Sequence, residues 1–284
     1  MIIEKAYAKL NLSLNVLDKR PDGFHNLETI MVPVVDLYDT LYFYERNDDI
    51  IEILDNDIED NIILKAAKAF QNKYHTKGVT IRLEKKIPIE AGLAGGSADA
   101  SATLRAMNKL YGLNLPLTEL EELALSLGSD TVFCLYNRAA LCKGRGEILE
   151  FIDFDFDIDL CIIKPNFGLL TRAVFSKNST NNIKADSYLI IESLRKNDIT
   201  EINKLISNDL YFRAIEVEPK LRNIVDVLKK ENIDIHMSGS GSSLFVFNTS
   251  TIKCDKCLEK HLRKNDIEYV YLKKHKIKNT VNDC

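Results

Sequence analysis

The chain has 284 residues, 45% of them hydrophobic and 28% charged, with a formal net charge of −4. It carries 12 glycines and no tryptophan, where ~7% usage would supply about 20 glycines, so collagen-like and glycine-rich low-complexity chains are excluded. No apolar run approaches the ~18 residues a membrane helix needs, so no membrane partner is expected, and the acidic balance argues against nucleic acid as the main partner. A length divided by ~150 predicts about two domains. Met1–Tyr7 has no basic flank before an apolar stretch, so no signal peptide is expected and the cytoplasm is the expected compartment. The cysteines Cys134, Cys142, Cys161, Cys254, Cys257 and Cys284 are then expected as free thiols.

Residues 10–16 alternate, Leu10, Leu12, Leu14 and Val16 against Asn11, Ser13 and Asn15, which predicts a half-buried strand. Arg20-Pro21-Asp22-Gly23 is a turn. Strands are predicted over 40–44, 50–54 and 79–83. A helix is predicted over 60–74, with Ile63, Ala66, Ala67 and Phe70 on one face. A glycine loop then opens a helix running to Tyr111. Thr118-Glu119-Leu120-Glu121 has the form of a capping box, opening a helix that stops at Gly128. Beyond about residue 155 a strand over 157–164 is followed by helices over 185–195, 200–206 and 219–230. A strand–turn–strand unit around 238–243, a helix over 251–263 and a strand over 269–272 complete the pattern. Strands flanking helices in both parts predict an α+β fold, divided at residues 1–155 and 156–284. Cys254-x-x-Cys257 with His261 invites a zinc reading. No second cysteine pair stands at ligand spacing, and the surrounding pattern is that of an amphipathic helix.

Seven of the 12 glycines fall in three clusters. The first is Pro88-Ile89-Glu90-Ala91-Gly92-Leu93-Ala94-Gly95-Gly96-Ser97-Ala98, between a strand and a helix. Glycines let the backbone approach a ligand, and free N–H groups at a helix N-terminus bind anions, usually phosphate. The segment is neither G-x-x-x-x-G-K-[ST] nor G-x-G-x-x-G, so the two commonest nucleotide loops are excluded. The second cluster, Gly144-Arg145-Gly146-Glu147, reads alone as a hairpin turn. The third, Met237-Ser238-Gly239-Ser240-Gly241-Ser242-Ser243, reads equally as a hairpin loop or an anion nest. Asp130, after Gly128-Ser129, is a helix cap or a general base. Lys9 beside its strand is ordinarily a solvated charge. Phe24-His25 offers either a ring that stacks on a base with an imidazole on its edge, or a packed Phe with a surface His.

Taken in order, Ala8-Lys9-Leu10-Asn11-Leu12, Arg20-Pro21-Asp22-Gly23-Phe24-His25-Asn26-Leu27, residues 91–98, Gly128-Ser129-Asp130, Gly144-x-Gly146-Glu147 and Met237-Ser238-Gly239-Ser240-Gly241 resemble the GHMP kinases. The resemblance runs from about residue 1 to 275. The 20–25 segment is similar to that of one member, which uses ATP to phosphorylate the C2 hydroxyl of a cytidine-diphosphate-linked methylerythritol in the non-mevalonate route to isoprenoids. The resemblance implies a two-domain fold: an N-terminal domain like ribosomal protein S5 domain 2 and a ferredoxin-like C-terminal domain, with the active site in the cleft between them. It implies Asp130 as the base and Lys9 beside it. Residues Pro88 to Ala98 would wrap the ATP phosphates, with Ser97 near Mg²⁺, and Asn61 and Lys85 near the adenine. His25 would bind the cytosine edge, Phe24 and Phe175 would sandwich the ring, and Thr171, Asn11 and Gly239 would lie on the substrate side. A monomer or weak homodimer is expected.

The chain departs from the family's usual pattern at Ala98, at Thr131-Val132-Phe133-Cys134 and at Asn137-Arg138. Two rival readings are another GHMP kinase, such as a homoserine or mevalonate kinase, and a catalytically silent nucleotide- or RNA-binding protein of that fold. Phe24-His25 speaks against the first, because those substrates carry no cytosine. Asp130, Lys9 and the acidic charge speak against the second.

Overall fold

The computed structural model describes residues 1–54, 61–177, 184–248 and 256–281. Strands β1 (Ile2–Lys19) and β2 (His25–Glu45) open the chain, and β3 (Ile51–Leu54), α1 (Ile62–Tyr74) and β4 (Val79–Glu84) follow. Next come α2 (Gly95–Leu110), α3 (Leu117–Leu127), α4 (Thr131–Tyr136) and the pair β5 (Ala140–Gly144) and β6 (Ile148–Phe151). Strand β7 (Ile158–Pro165) precedes α5 (Thr171–Phe175), α6 (Ser187–Arg195), α7 (Ile199–Leu205), α8 (Leu210–Val217) and α9 (Lys220–Lys230). Strands β8 (His236–Met237) and β9 (Leu244–Phe247), helix α10 (Lys256–Lys264) and β10 (Tyr269–Ile277) end the described chain. Asp60, Thr251, Cys254 and Cys284, and the side chain of Cys257, lie outside the described residues.

Two compact units form. The first takes Met1–Ala8, Leu37–Ile87 and Ala94–Asn137; the second takes Lys9–Asp36, Pro88–Leu93 and Arg138–Cys284.

In the first unit the end of β2 pairs antiparallel with β4, Phe43 opposite Ile81, and β4 pairs parallel with β3. Helices α1 to α4 pack on one another. Helix α1 buries Ile63, Ala66, Ala67 and Phe70, the face its i, i+3, i+4, i+7 spacing predicts. Helix α3 stops at Gly128, as expected, with the Gly128 N–H on the Ala124 carbonyl. Its start is a correction. Pro116 is the N-cap residue and no side chain caps the helix, so Thr118 already lies inside the first turn. The extended backbone of Pro116 (φ −64°, ψ 153°) sets the boundary earlier than the capping-box pattern suggested.

In the second unit, residues 27–31 of β2 pair with β5, and β5 pairs with β6. Strand β7 lies between β10 and β9, and β8 flanks β9. Helices α8, α9 and α10 supply Leu210, Leu221, Ile224, Leu228, Leu258 and Leu262 to a core that includes Cys161 and Ile163. The second correction concerns residues 10–16, which are buried on both faces. Their polar members are satisfied by hydrogen bonds from distant chain, as buried polar groups require. Asn11 Nδ2 donates to Thr29 Oγ1 (2.8 Å), and Ile30 N donates to Ser13 Oγ (3.2 Å). The Asn15 amide exchanges two bonds with the Ala185 backbone, 2.9 and 3.0 Å. Cys134, Cys142 and Cys161 are buried and in no disulfide. Among the described residues no helix is long and apolar enough to cross a membrane.

Candidate active site

The first glycine cluster is divided between the units. Its first part, Pro88–Leu93, belongs to the second unit and is held there by backbone groups. The Glu90 carbonyl accepts Leu169 N (3.2 Å) and Ser242 N (3.4 Å), the Ala91 carbonyl accepts Ser243 N (3.0 Å), and the Leu93 carbonyl accepts Lys9 N (3.1 Å). Ser238 Oγ donates to the Gly92 carbonyl at 3.0 Å. The third glycine cluster thus holds the first directly. Gly92 has φ +71°, and a Cβ there would stand 2.2 Å from the Ser238 carbonyl oxygen and 2.9 Å from Gly241, so no other residue fits. A Cβ on Gly239 would meet the Gly92 carbonyl at 3.0 Å, Asn11 Oδ1 at 3.2 Å and Lys9 Nζ at 3.4 Å. Lys9, Asn11, Gly92 and Gly239 therefore converge.

Lys9 is only 3% exposed, which corrects the ordinary expectation of a solvated strand lysine. Its ammonium donates to Asn11 Oδ1 at 2.5 Å. Asn11 is fixed in turn by Thr29, so the positive charge is oriented rather than floppy.

The second part, Ala94–Ala98, belongs to the first unit and opens α2. Ala94 is the N-cap residue, in the left-handed region (φ 57°), and no side chain caps the helix. Glu90 is left-handed as well (φ 52°). Non-glycine residues adopt that region at a penalty on the order of 1 kcal/mol each, and such outliers gather at functional segments. Lys85, just before the segment, is gripped by two carboxylates: Nζ lies 2.6 Å from Asp39 Oδ2 and 2.7 Å from Asp99 Oδ2. Asp39 also accepts the Lys86 and Ile87 N–H groups, at 2.5 and 2.8 Å. Burial pushes the Asp99 carboxyl up to about 7; Lys85 opposes the shift and the Asp39 charge adds to it. On Lys85 burial works downward, but the Asp99 and Asp39 charges outweigh it and raise the ammonium pKa. Asn61 is the N-cap of α1, its Oδ1 accepting Ile63 N at 2.9 Å.

Asp130 is the N-cap residue of α4, yet its carboxylate makes no capping hydrogen bond, so the simple capping reading does not hold. A Cβ on Gly128 would stand 3.1 Å from Thr131 Oγ1 and 3.7 Å from Ser97 Oγ, so both hydroxyls face the turn that carries Asp130. Thr131 Oγ1 is buried and has no hydrogen-bond partner. Among the described residues no three His, Cys, Asp or Glu side chains gather as a metal site.

In the second unit the 20–23 turn closes with Gly23 N on the Arg20 carbonyl (3.1 Å), as predicted. The rings of His25 and Phe175 lie 5.4 Å apart, tilted by 33°. Phe24 is 47% exposed and carries the Arg145 guanidinium 3.8 Å above its ring. One face of Phe24 is therefore covered. Burial, then Arg213 and Lys19, lowers the His25 pKa, with Asp18 opposing. The imidazole is neutral at pH 7 and offers one donor and one acceptor. Helix α5 sets Thr171 and Phe175 one turn apart on one face. Thr171 Oγ1 lies 2.9 Å from Ser240 Oγ, so the third glycine cluster reaches this region too. A cavity of about 470 Å³ lined by Glu259, Tyr269, Leu272, Lys273 and Lys274 contains none of these residues.

Residues 61–138 match the family model described as the GHMP kinases N terminal domain, and residues 190–251 match the GHMP kinases C terminal model. The 4-diphosphocytidyl-2-C-methyl-D-erythritol kinase of Macrococcus caseolyticus is 40% identical over 255 residues, spanning 86% of this chain and 89% of the relative. The chain belongs to the GHMP kinase family. Another member, the 4-diphosphocytidyl-2-C-methyl-D-erythritol kinase of Caldanaerobacter subterraneus, is 39% identical over 86% of this chain and 87% of its own. A crystal structure of 4-(cytidine 5'-diphospho)-2C-methyl-D-erythritol kinase superposes with a TM-score of 0.76 at 26% identity, covering 97% of this chain and 99% of the other. A GHMP kinase of another specificity, homoserine kinase from Cytophaga hutchinsonii, shares the fold at a TM-score of 0.73 and 16% identity, covering 98% and 96%. The GHMP kinases are ATP-dependent phosphotransferases acting on small molecules, and this chain is one of them. The α+β GHMP kinase fold expected from the motifs is the one found.

Sequence reasoning missed Asp39, Asp99 and Arg145. Arg145 had a signal, its place between Gly144 and Gly146. Asp39 had none, because its partners are 46 to 48 residues away.

Proposed function

We propose that this GHMP kinase transfers the γ-phosphoryl group of ATP to the C2 hydroxyl of 4-diphosphocytidyl-2-C-methyl-D-erythritol. The observation that carries the reading is its likeness to relatives of that name, 38–40% identical over 86% of the chain. That likeness favours it over homoserine or mevalonate phosphorylation, and over a silent nucleotide- or RNA-binding role.

Phosphoryl transfer asks a protein for positioning and charge stabilisation more than covalent help. Asp130 accepts the proton of the C2 hydroxyl as the new O–P bond forms and ADP leaves. Lys9, oriented by Asn11, stabilises the negative charge that develops on that oxygen. Residues Pro88 to Ala98 take the triphosphate on free N–H groups at the start of α2, and Asn61 and Lys85 stand on the adenine side. Mg²⁺ takes most of its ligands from phosphates and water and needs few protein donors. Ser97 is the residue proposed to reach the ion. When bound it would neutralise phosphate charge.

His25, as a neutral donor–acceptor, reads the cytosine edge. Phe24, Phe175 and Thr171 line its ring, and Gly239 allows close approach. The exposed face of Phe24, opposite Arg145, is the one open to the base. In this reading residues 1–155 bring the base and the nucleotide segment, and residues 156–284 bring Thr171, Phe175 and Gly239. The protein works in the cytoplasm as a monomer or weak homodimer. ADP release with the cytidine substrate, homoserine and mevalonate in parallel tests the reading. Turnover with the cytidine substrate alone is expected; turnover with only one of the others, or with none, overturns it.

A further inference from the structure

Two buried carboxylates in the first unit, Asp39 and Asp99, have no part in the chemistry above, yet both close on Lys85, which stands on the adenine side. One ammonium, Lys85, is shared by two buried carboxylates, Asp39 at 0% and Asp99 at 3% exposure. The cluster carries one more acid than base, and Asp99 Oδ1 is buried with no hydrogen-bond partner. Buried charge is costly unless fully compensated, and apolar residues of similar size commonly serve stability better. The lift of the Asp99 carboxyl to about 7 expresses the same strain. Stability alone gives no reason to keep this arrangement.

Its placement does. Asp39 reaches from β2 and takes the N–H groups of Lys86 and Ile87, the last two residues before Pro88. Lys85, at the end of β4, carries the connection to Asp99 on α2. Its Nζ would stand 3.0 Å from a Cβ on Gly95, and Ile87 Cγ2 would stand 3.1 Å away, so both pack on the first residue of that helix. The two ends of the stretch 88–94 are thereby tied together through Lys85 by two carboxylates that need not touch the nucleotide themselves. Charge-assisted hydrogen bonds of 2.6–2.7 Å suit a tie that must hold a spacing.

We propose that Asp39 and Asp99 are positioning residues for ATP: acting through Lys85, they fix the start of α2 against the chain entering the glycine segment. The helix N–H groups are thus set for the triphosphate before it arrives. The proposal rests on the reading that residues 88–98 hold ATP.

Asp99 is the residue to vary, because Asp39 also bonds the backbone. Direct ATP binding by titration calorimetry is measured beside KM for ATP and for the cytidine substrate. In Asp99→Ala the Kd and KM for ATP are expected to rise about tenfold or more, with the cytidine KM unmoved. Asp99→Asn keeps an oxygen within reach of Lys85 and is expected to restore ATP affinity to within about threefold of wild type. Near-UV circular dichroism and a thermal melt establish that each variant is folded. If Asp99→Ala does not fold, Asp99→Ser, too short to reach Lys85, is read by the same criterion. ATP affinity unchanged in the folded shortened variant overturns the proposal, as does an Asn variant as weak as the Ala one. Wild type that neither binds ATP nor releases ADP would overturn the functional reading instead. Wild type that does both, matched by Asp99→Ala, removes only the positioning role.

Discussion

The two parts of the glycine segment are held by different physics. From Glu90 to Leu93 the chain is fixed by neutral backbone hydrogen bonds and by glycine-to-backbone contact with the Ser238–Ser243 cluster. From Ala94 onward it is fixed by a helix and by a buried charge cluster on Lys85. The first mode leaves no room for a methyl group and is indifferent to pH. The second depends on side-chain oxygens that reach Lys85, and it responds to pH because its acids titrate. One loop that appears uniform in sequence has two separate sensitivities.

Substitutions can separate them, and the largest effect is expected outside both. Asp130→Asn should lower kcat by at least ~10², the lower range for losing a general base, while ATP binding by calorimetry persists. An unchanged kcat removes Asp130 from that role. Next, Gly92→Ala must take φ +71° and stand 2.2 Å from a carbonyl oxygen. A loss of about 3 kcal/mol or more in a denaturant melt is expected, together with loss of ATP binding. A stability within ~0.5 kcal/mol of wild type, the surface-substitution range, would show that the backbone mode is soft.

His25→Ala touches neither mode. It should raise KM for the cytidine substrate about tenfold and leave that for ATP alone; equal changes in both would contradict base recognition. The smallest effect belongs to the charge mode. The Asp99 carboxyl has its folded pKa raised from 3.8 to about 7. Its contribution to stability is therefore full below pH ~4 and is lost as pH rises to about 7. Asp99→Asn should abolish that loss, so its melting temperature relative to wild type should improve by a few degrees from pH 5 to pH 8. A relative decline over that range would mean that the carboxylate stabilises the fold.

Legibility in sequence followed the distance over which each feature is decided. Helix α1 was readable because its buried face is written in its own spacing, Ile63 to Phe70. Strand β1 was readable as a strand but not as a doubly buried one. The groups that satisfy Asn11, Ser13 and Asn15 come from Thr29, Ile30 and Ala185, which no local pattern announces. The short helices α4 and α5 are too brief to show a period, so the helix presenting Thr171 and Phe175 went unseen although both residues were named by resemblance. The cap of α3 was misread because Pro116 fixed the boundary two residues before the polar pattern began. Asp39 and Asp99 acquire meaning only when folding brings both to Lys85.

The interleaving of the compact units has a consequence for recombination. The chain changes unit after residues 8, 36, 87, 93 and 137, so any single cut between residues 9 and 137 divides both units. A chimera that joins two relatives near residue 155 also mixes parents inside the second unit. It must then match the Asn15 amide to the Ala185 backbone, Val16 N to Asp209 and Asn11 N to Ser238 Oγ across parental sequence. These pairs identify where such hybrids will fail, and which residues should be exchanged together to rescue them.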